Sequence, residues 1–534
     1  MLLGGKVRDD ELRRALSDAN PWWAAAAAGR DPTAWQEANR TLRDRRQFDL
    51  GYRSGILDDI ASGPPDGSLA ILTGPRRAGK TVALLDAALS LCGCRGMDPR
   101  QLIHVPCDGM AARDLRRVLT LARVLTRSVD LEQPQPRVWL FDEVSGISGW
   151  TSVFKAARDN TLFGDDTVVA TGSRWVSQDD IQANLLAGRA GRSERRRLRQ
   201  LLPMGFRDFL AATRPELALP QRCHPARLMD PSVAEDLQAL AYGVDDYDLA
   251  WQDYLGCGGF PRAVAEYQRT GAVGRPYQRD LLAWLRADVD PDAPLESVPQ
   301  LLATLMERMT SPLDQQKTAA VAGYGSREAF GLRLQRLVNS HALLRCRHRL
   351  DDGRAVARAQ SKAYFTDPLL AWLPSALSPG LPRPTMPCLS EMALGVCLAR
   401  AIYGLEEGRW VADDTIGYSR TSSGNEIDFS PVRVPTEEGS GLTIPIESKW
   451  VDDGWRREAL VLEGRYGRDG HQVDPRSGAS KLGDSCTAGG LPASQAMGCL
   501  ISSNNTARAS LNWRRFAVLT CRAQPTKPPD RLGP

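Results

Sequence analysis

A chain of 534 residues has room for several domains, and an apolar share of 42% supplies their cores. A net charge of only +4 makes no global case for a nucleic-acid partner, so any such contact has to be local. The 11 cysteines form no C-x-x-C pair, the 5 histidines show no zinc spacing, no apolar run reaches the ~18 residues of a membrane helix, and no signal-peptide pattern appears. Free thiols in a cytoplasmic protein away from membranes are the expectation.

Residues 1–66 read as a helical N-terminal segment. Asn20-Pro21 starts a helix with Pro in its first turn, and Trp22 and Trp23 are expected to pack it on the core that follows. That core is expected over 67–221. Leu69–Leu72 is a short apolar run of the kind that forms a buried parallel strand. Gly74-x-x-x-x-Gly79-Lys80-Thr81 then has the phosphate-binding-loop spacing, and Val82–Leu91 continues as a helix. Glycines let backbone N–H groups curve around an anion, and the helix N-terminus adds its positive end. Gly74, Pro75, Arg76, Arg77, Ala78, Gly79, Lys80, Thr81 and Val82 are therefore the expected ATP-binding segment. Lys80 would meet the β- and γ-phosphates, and the Thr81 hydroxyl would hold Mg²⁺.

Gln101–Cys107 is a second strand, and Arg113–Arg127 has helical spacing. Arg137–Glu143 is an apolar strand ending in two acids. Asp142 is assigned to Mg²⁺ and Glu143 to polarising the attacking water. Two adjacent carboxylates at the end of a buried strand are costly unless a cation lies nearby. Thr167–Arg174 is a third such strand, where Thr171 or Ser173 either senses the γ-phosphate or simply caps the strand end.

In order along the chain stand Gly-Pro-Arg-Arg-x-Gly-Lys-Thr, Phe-Asp-Glu-Val followed by Gly149-Trp150, Ala-Thr-Gly-Ser, Leu186-Ala-Gly-Arg189, and Leu202-Pro-Met-Gly-Phe-Arg-Asp-Phe-Leu210. Over residues 18–465 this series resembles AAA-type P-loop ATPases described in bacteria and archaea only as ATP-binding proteins. Their C-terminal half is a domain of unknown function resembling PD-(D/E)XK nucleases. Arg189 and Arg192 match the family's Leu-Ala-Gly-Arg segment and are the candidates for an arginine finger. A solvated basic face or a phosphate-backbone contact is the alternative for this arginine-rich stretch. Residues 222–296 read as a helical lid, interrupted by Tyr254-Leu-Gly-Cys-Gly-Gly-Phe-Pro261, a turn that resembles the family's lid element and serves as a hinge or a packing point.

Residues 297–375 read as a winged helix. Arg327–Asn339 is its second long helix, with Phe330, Leu332, Leu334, Leu337 and Val338 as the buried side and Arg327, Arg333 and Arg336 projecting. Two strands around Asp351-Asp352-Gly353 form a hairpin that Arg347, Arg349 and Arg354 make basic. A helix with a basic wing suits a DNA contact, although such modules also bind protein.

Residues 376–387, rich in Pro and Ser, read as a linker, and 388–470 carry the last constellation. Asp428, on the strand around Asn425–Phe429, and Glu447 with Lys449, on the strand from Thr443, stand as Asp…Glu-x-Lys on neighbouring strands. The resemblance makes Asp428 and Glu447 metal ligands, Lys449 the group that orients a water, and Glu391, near a helix start, the leading acid. Glu426 shares a face with Asp428 and is a spare ligand. The alternative for these acids is the charged outer face of two amphipathic strands. Residues 471–534 lose hydrophobic periodicity and read as a disordered or aberrant, frameshifted tail.

The expected fold is α/β and multidomain: a P-loop NTPase parallel sheet with helical lid, a winged helix, and a restriction-endonuclease-like α/β domain. The expected function is a cytoplasmic, Mg²⁺-dependent ATPase whose nucleotide state controls a DNA-facing C-terminal half. ATP and Mg²⁺ are its cofactors, and DNA, a second copy or a partner protein are the further candidates. The rivals are an ATP-dependent signalling or scaffold switch that contacts protein and carries an inactive nuclease-like domain, and a nuclease for which ATP is a structural ligand.

Overall fold

The structure, a computed structural model, describes residues 7–94, 97–130, 135–160, 163–174, 197–219, 243–350, 353–405, 416–420, 424–435, 441–446, 448 and 524–525. Arg189, Arg192, Glu447, Lys449 and nearly all of the expected tail lie outside these residues.

Five strands form the first sheet: β1 (Leu69–Thr73), β2 (Leu102–Pro106), β3 (Val138–Asp142), β4 (Thr167–Gly172) and β5 (Leu198–Gln200), in the order β2-β3-β4-β1-β5. All neighbours are parallel. β1 and β4 are buried along their whole length, which is why they read as unbroken apolar runs rather than alternating ones. Parallel pairing sends the chain off the same edge at the ends of β1, β3 and β4. It therefore gathers the phosphate loop, Asp142-Glu143 and Thr171–Ser173 at one place.

The outer edge of β2 is closed by the N-terminal segment. Asn20 makes a two-way contact with His104, its amide donating to the His104 carbonyl at 2.8 Å and its carbonyl accepting from the His104 N–H at 2.6 Å. Trp22 and Trp23 both donate their indole N–H to the Leu102 carbonyl. A strand edge that would otherwise offer bare N–H and C=O groups is covered in this way.

Beyond β5 the helices Phe206–Thr213, Val244–Cys257, Pro261–Thr270 and Arg275–Val289 lead into the helices Ser297–Glu307, Gln315–Val321 and Arg327–Asn339. Next come β6 (Leu343–His348), β7 (Ser361–Phe365) and the helices Pro368–Leu377 and Met386–Leu405. One apolar core, from Leu202 to Phe429, runs through all of these elements. The Pro- and Ser-rich stretch 376–387 is mostly the connection 378–385, with a helix end on either side: the first helix runs to Leu377 and the second starts at Met386. Leu369, Leu370 and Leu373 before the turn and Leu389, Met392 and Val396 after it join the same core, so the connection turns between packed helices.

Leu332 departs from its expected burial. Phe330, Leu334, Leu337 and Val338 follow helical spacing and are buried, whereas Leu332 falls on the opposite face and is 48% exposed.

A second sheet joins the hairpin to the C-terminal strands. β8 (Gly417–Arg420) and β9 (Glu426–Ile427) complete the order β7-β6-β8-β9, with β6 and β8 parallel. Phe429–Pro435 then pairs antiparallel with Gly441–Ile446.

Two glycine-containing segments meet where the helices beyond β5 pack against one another and against the chain leaving that strand. The Met204 N–H donates to the Gly259 carbonyl at 2.7 Å, and the Gly259 N–H donates to Asp367 Oδ2 at 2.7 Å. A Cβ at Gly259 would lie 2.0 Å from the Met204 carbonyl oxygen, so the Gly-Gly-Phe-Pro turn is required by this close approach. Asp367 also accepts from the Leu369 N–H and caps the helix Pro368–Leu377.

Candidate functional site

The loop between β1 and the helix Lys80–Cys92 is shaped by its surroundings. Gly74 has φ 152°, and a Cβ there would fall 2.0 Å from the Leu201 carbonyl oxygen, so no larger residue fits between β1 and β5. Gly79, at φ 107°, turns the chain into the helix, and Arg77 is left-handed at φ 68°. Lys80, buried in this cradle, donates to the carbonyls of Gly74 at 2.8 Å and Pro75 at 2.9 Å. Burial pulls its ammonium down to about 8, against the opposing pull of Glu143 and Asp142.

The Thr81 hydroxyl donates to Asp142 Oδ2 at 2.9 Å, and the Thr171 hydroxyl donates to Asp142 Oδ1 at 2.8 Å. Thr171 in turn accepts from the Glu143 N–H at 2.9 Å. Glu143 sits at φ 61°, a left-handed backbone rare for a non-glycine residue, which sets its carboxylate off from that of Asp142. Its Oε1 accepts from the Ser145 hydroxyl at 2.5 Å and from both the N–H and hydroxyl of Ser173 at 2.9 Å. Burial pushes this carboxyl up, but Lys80 and the bonds from Ser145 and Ser173 outweigh it and leave the group below its ordinary value. Gly172 is needed for the same packing, because a Cβ there would lie 2.8 Å from that of Ser145.

The sequence-derived residues Thr81, Asp142, Glu143, Thr171 and Ser173 thus meet in one hydrogen-bonded group, and the Lys80 ammonium lies within the field of its two carboxylates. Ser145, Arg174 and Asp288 complete the setting and were not assigned a role from sequence. Asp288, on the helix Arg275–Val289, has a side chain only 2% exposed and pairs with Arg76 of the loop at 3.1 Å and with Arg174 after β4 at 3.0 Å. Trp284, one turn earlier, donates to the other Asp288 oxygen at 2.7 Å. Arg77 pairs with Asp280 of the same helix. The Trp–x–x–x–Asp spacing was the one signal for this contact, and it does not say which arginines would come from elsewhere. Gln200, at the end of β5, bonds His341 Nδ1 at 2.9 Å and so links this edge of the sheet to the turn before β6.

The six basic candidates divide. Arg333 pairs with Asp290 at 2.9 Å, Arg336 donates to the Val289 carbonyl at 2.9 Å, and Arg349 is buried and donates to the Gly353 carbonyl. Arg333 and Arg336 tie the helix Arg327–Asn339 to the end of the helix Arg275–Val289, and Arg349 braces the hairpin turn. Arg327, Arg347 and Arg354 are exposed.

Of the C-terminal acids, Glu391, Glu426 and Asp428 are brought together around Lys362 of β7. Lys362 had no assigned role in the sequence, although a lone lysine two residues before Tyr364 in an apolar strand faces the same side as that tyrosine. Burial disfavours its charged form, but the surrounding carboxylates more than compensate and hold it protonated. Burial pushes Glu391 up to about 7, against the pull of Lys362. Among the described residues no group of three His, Cys, Asp or Glu side chains is placed to hold a metal ion.

A parallel sheet with a glycine loop running into a helix, and a Thr–Asp–Glu group at the strand ends, defines a P-loop nucleotide-binding domain. Residues 66–210 match the model of a family described as AAA domain, and this part of the chain is of the AAA ATPase type. No curated protein matches the chain. Among solved structures it is similar to the Walker-type ATPase PABY2304 of Pyrococcus abyssi, at 14% identity over 62% of this chain and 95% of that one, with a TM-score of 0.33. It is also similar to the Aeropyrum pernix ORC1 protein in complex with DNA, at 14% identity over 62% and 92%, TM-score 0.27. The RuvB Holliday junction branch migration motor of Thermotoga maritima follows at 12% identity over 66% and 93%, TM-score 0.23. At these TM-scores the likenesses carry nothing further, and the class rests on the family match, the sheet and the loop. No helix among the described residues is long and apolar enough to cross a membrane.

Proposed function

We propose that the chain hydrolyses ATP with Mg²⁺ and that its nucleotide state is passed to a DNA-facing C-terminal half. The observation that carries the first part is the joint placement of Lys80, Thr81, Asp142 and Glu143 at the mouth of the loop. The donor set fits the ligand: an ammonium and a helix N-terminus for phosphates, and a hydroxyl and a carboxylate already 2.9 Å apart for a hard cation. Lys80 would exchange its loop carbonyls for the β- and γ-phosphates. Thr81 and Asp142 would hold Mg²⁺, which screens the phosphate charge. Glu143, kept ionised by Lys80, Ser145 and Ser173, would take a proton from the attacking water while Thr171 and Ser173 fix the strand ends around it.

The coupling has two carriers. Asp288 ties Arg76 and Arg174, both at the phosphate end of the sheet, to the lid helix, so phosphate charge arriving there competes directly with a lid contact. Arg333 and Arg336 then tie the end of that helix and Asp290 to the helix Arg327–Asn339. We read residues 297–375 as a winged helix whose exposed Arg347 and Arg354, with Arg327, face duplex phosphates. A protein-facing module is the second reading, favoured by the exposed Val321, Leu332 and Leu350. Phosphate release measured with and without duplex DNA separates the two: DNA changes the rate under the first reading and leaves it unchanged under the second.

A further inference from the structure

Lys362 is 0% exposed, and its ammonium lies 2.8 Å from Glu426, 3.0 Å from Glu391 and 3.3 Å from Asp428. The three acids come from separate places: Glu391 from the helix Met386–Leu405, Glu426 from β9, and Asp428 from the residue between β9 and the strand Phe429–Pro435. Lys362 comes from β7, at the opposite edge of the sheet from β9.

Most of the remaining capacity of the cluster is also taken. The Tyr364 hydroxyl donates to Glu391 Oε1 at 2.7 Å, Arg420 reaches Glu426 Oε2 at 3.3 Å, and the Ser448 N–H donates to Asp428 Oδ2 at 3.0 Å. One oxygen of Glu391, two of Glu426 and two of Asp428 therefore already accept from protein donors, five of the six available.

A hydrolytic metal centre needs the reverse: carboxylate oxygens turned to one point, an open coordination position and a route for water. Here that point is filled by an ammonium fixed by its own strand. A divalent ion entering the cluster would have to drive Lys362 out of its three carboxylates while leaving it inside the protein, and a buried charge stripped of its partners is strongly unfavourable.

We propose that Lys362 is the built-in cation of this cluster, standing where the nuclease resemblance calls for a divalent metal, so that Glu391, Glu426 and Asp428 weld β7 to the C-terminal strands and take no metal. The ion pair then serves as a joint between the hairpin and the strands beyond it. This inference is independent of the ATP site and stands or falls without it.

The test is Mn²⁺ binding by the full chain without nucleotide, counted by electron paramagnetic resonance, in wild type, Asp428→Asn, Lys362→Met and the double variant. Any Mn²⁺ at the Thr81–Asp142 position is common to all four. Wild type and Asp428→Asn are expected to bind the same number of ions. Lys362→Met, with its carboxylates freed, is expected to gain one, which the double variant loses. Loss of one ion from wild type on Asp428→Asn overturns the proposal, as does a folded Lys362→Met that gains none. If Lys362→Met does not fold, the comparison of wild type with Asp428→Asn decides by itself.

Discussion

Replacing Glu143 with Gln separates its proton-accepting role from its structural one. All three of its donors, the Ser145 hydroxyl and the N–H and hydroxyl of Ser173, reach the same oxygen, Oε1, at 2.5–2.9 Å. A glutamine keeps a carbonyl oxygen at that point and places its amide at the other, so the backbone at φ 61° keeps its side-chain anchors. What disappears is the basic site and the charge facing Lys80. Glu143 is the largest of the three acidic influences on that ammonium, ahead of Asp142 and Asp288, so in the variant the phosphates of bound ATP take over most of its counter-charge. Nucleotide affinity should be kept or rise. Turnover should fall about 10²–10⁴-fold, the usual contribution of a positioned base, which corresponds to about 3–5 kcal/mol of barrier. The assay pairs phosphate release with equilibrium binding of a fluorescent ATP analogue. Equal turnover in wild type and Glu143→Gln would refute the role given to this carboxylate, and loss of nucleotide binding would mean that its charge positions the loop rather than the water.

Three further outcomes follow from individual contacts. Asp288→Asn leaves Arg76 and Arg174 without their shared carboxylate; because both arginines are partly exposed, the loss should be modest, about 1–2 kcal/mol in urea unfolding, with a changed dependence of ATPase rate on nucleotide concentration. An unaltered stability and rate would remove the lid contact from the mechanism. Burial raises Asp367 from 3.8 to about 6, so between these values the folded state binds more protons than the unfolded one, and the cost of this carboxylate to stability grows as pH rises from about 4 to about 6. Asp367→Asn should flatten that part of the pH profile while costing about 1–3 kcal/mol through the loss of one of its two backbone bonds; thermal melts from pH 4 to 7 check both. Changing Arg347 and Arg354 together to Ala should reduce the slope of log affinity for duplex DNA against log salt by about two, and an unchanged slope would take the hairpin out of the DNA contact.

The ATP site was legible where chemistry is local in sequence. Gly74 to Thr81 and Asp142-Glu143 are short patterns at strand ends, and parallel pairing alone brings them together. Contacts between distant segments were not. Asp288 lies more than a hundred residues from both Arg76 and Arg174, and periodicity marks only that its helix is amphipathic. Leu332 shows that apolar residues in one helix do not by themselves make one face: helical spacing from Phe330 selects Leu334, Leu337 and Val338 and leaves Leu332 outside. Lys362 shows the same limit: Glu391 and Asp428 do meet, but the group they meet around sits on a strand that the sequence assigned to another domain. Composition makes the Pro- and Ser-rich stretch a linker, yet it could not show that both flanking helices pack into one core.

Mg²⁺-dependent phosphate release by the full chain, titrated with duplex DNA at low and moderate salt and compared with Lys80→Ala, bears on the proposed coupling most directly. Wild type should turn over ATP, duplex DNA should change the rate several-fold, the change should fade as salt rises, and Lys80→Ala should show neither turnover nor response. A folded wild type that turns over ATP at the same rate with and without duplex DNA would contradict the coupling, and one that releases no more phosphate than Lys80→Ala would contradict the hydrolysis it rests on.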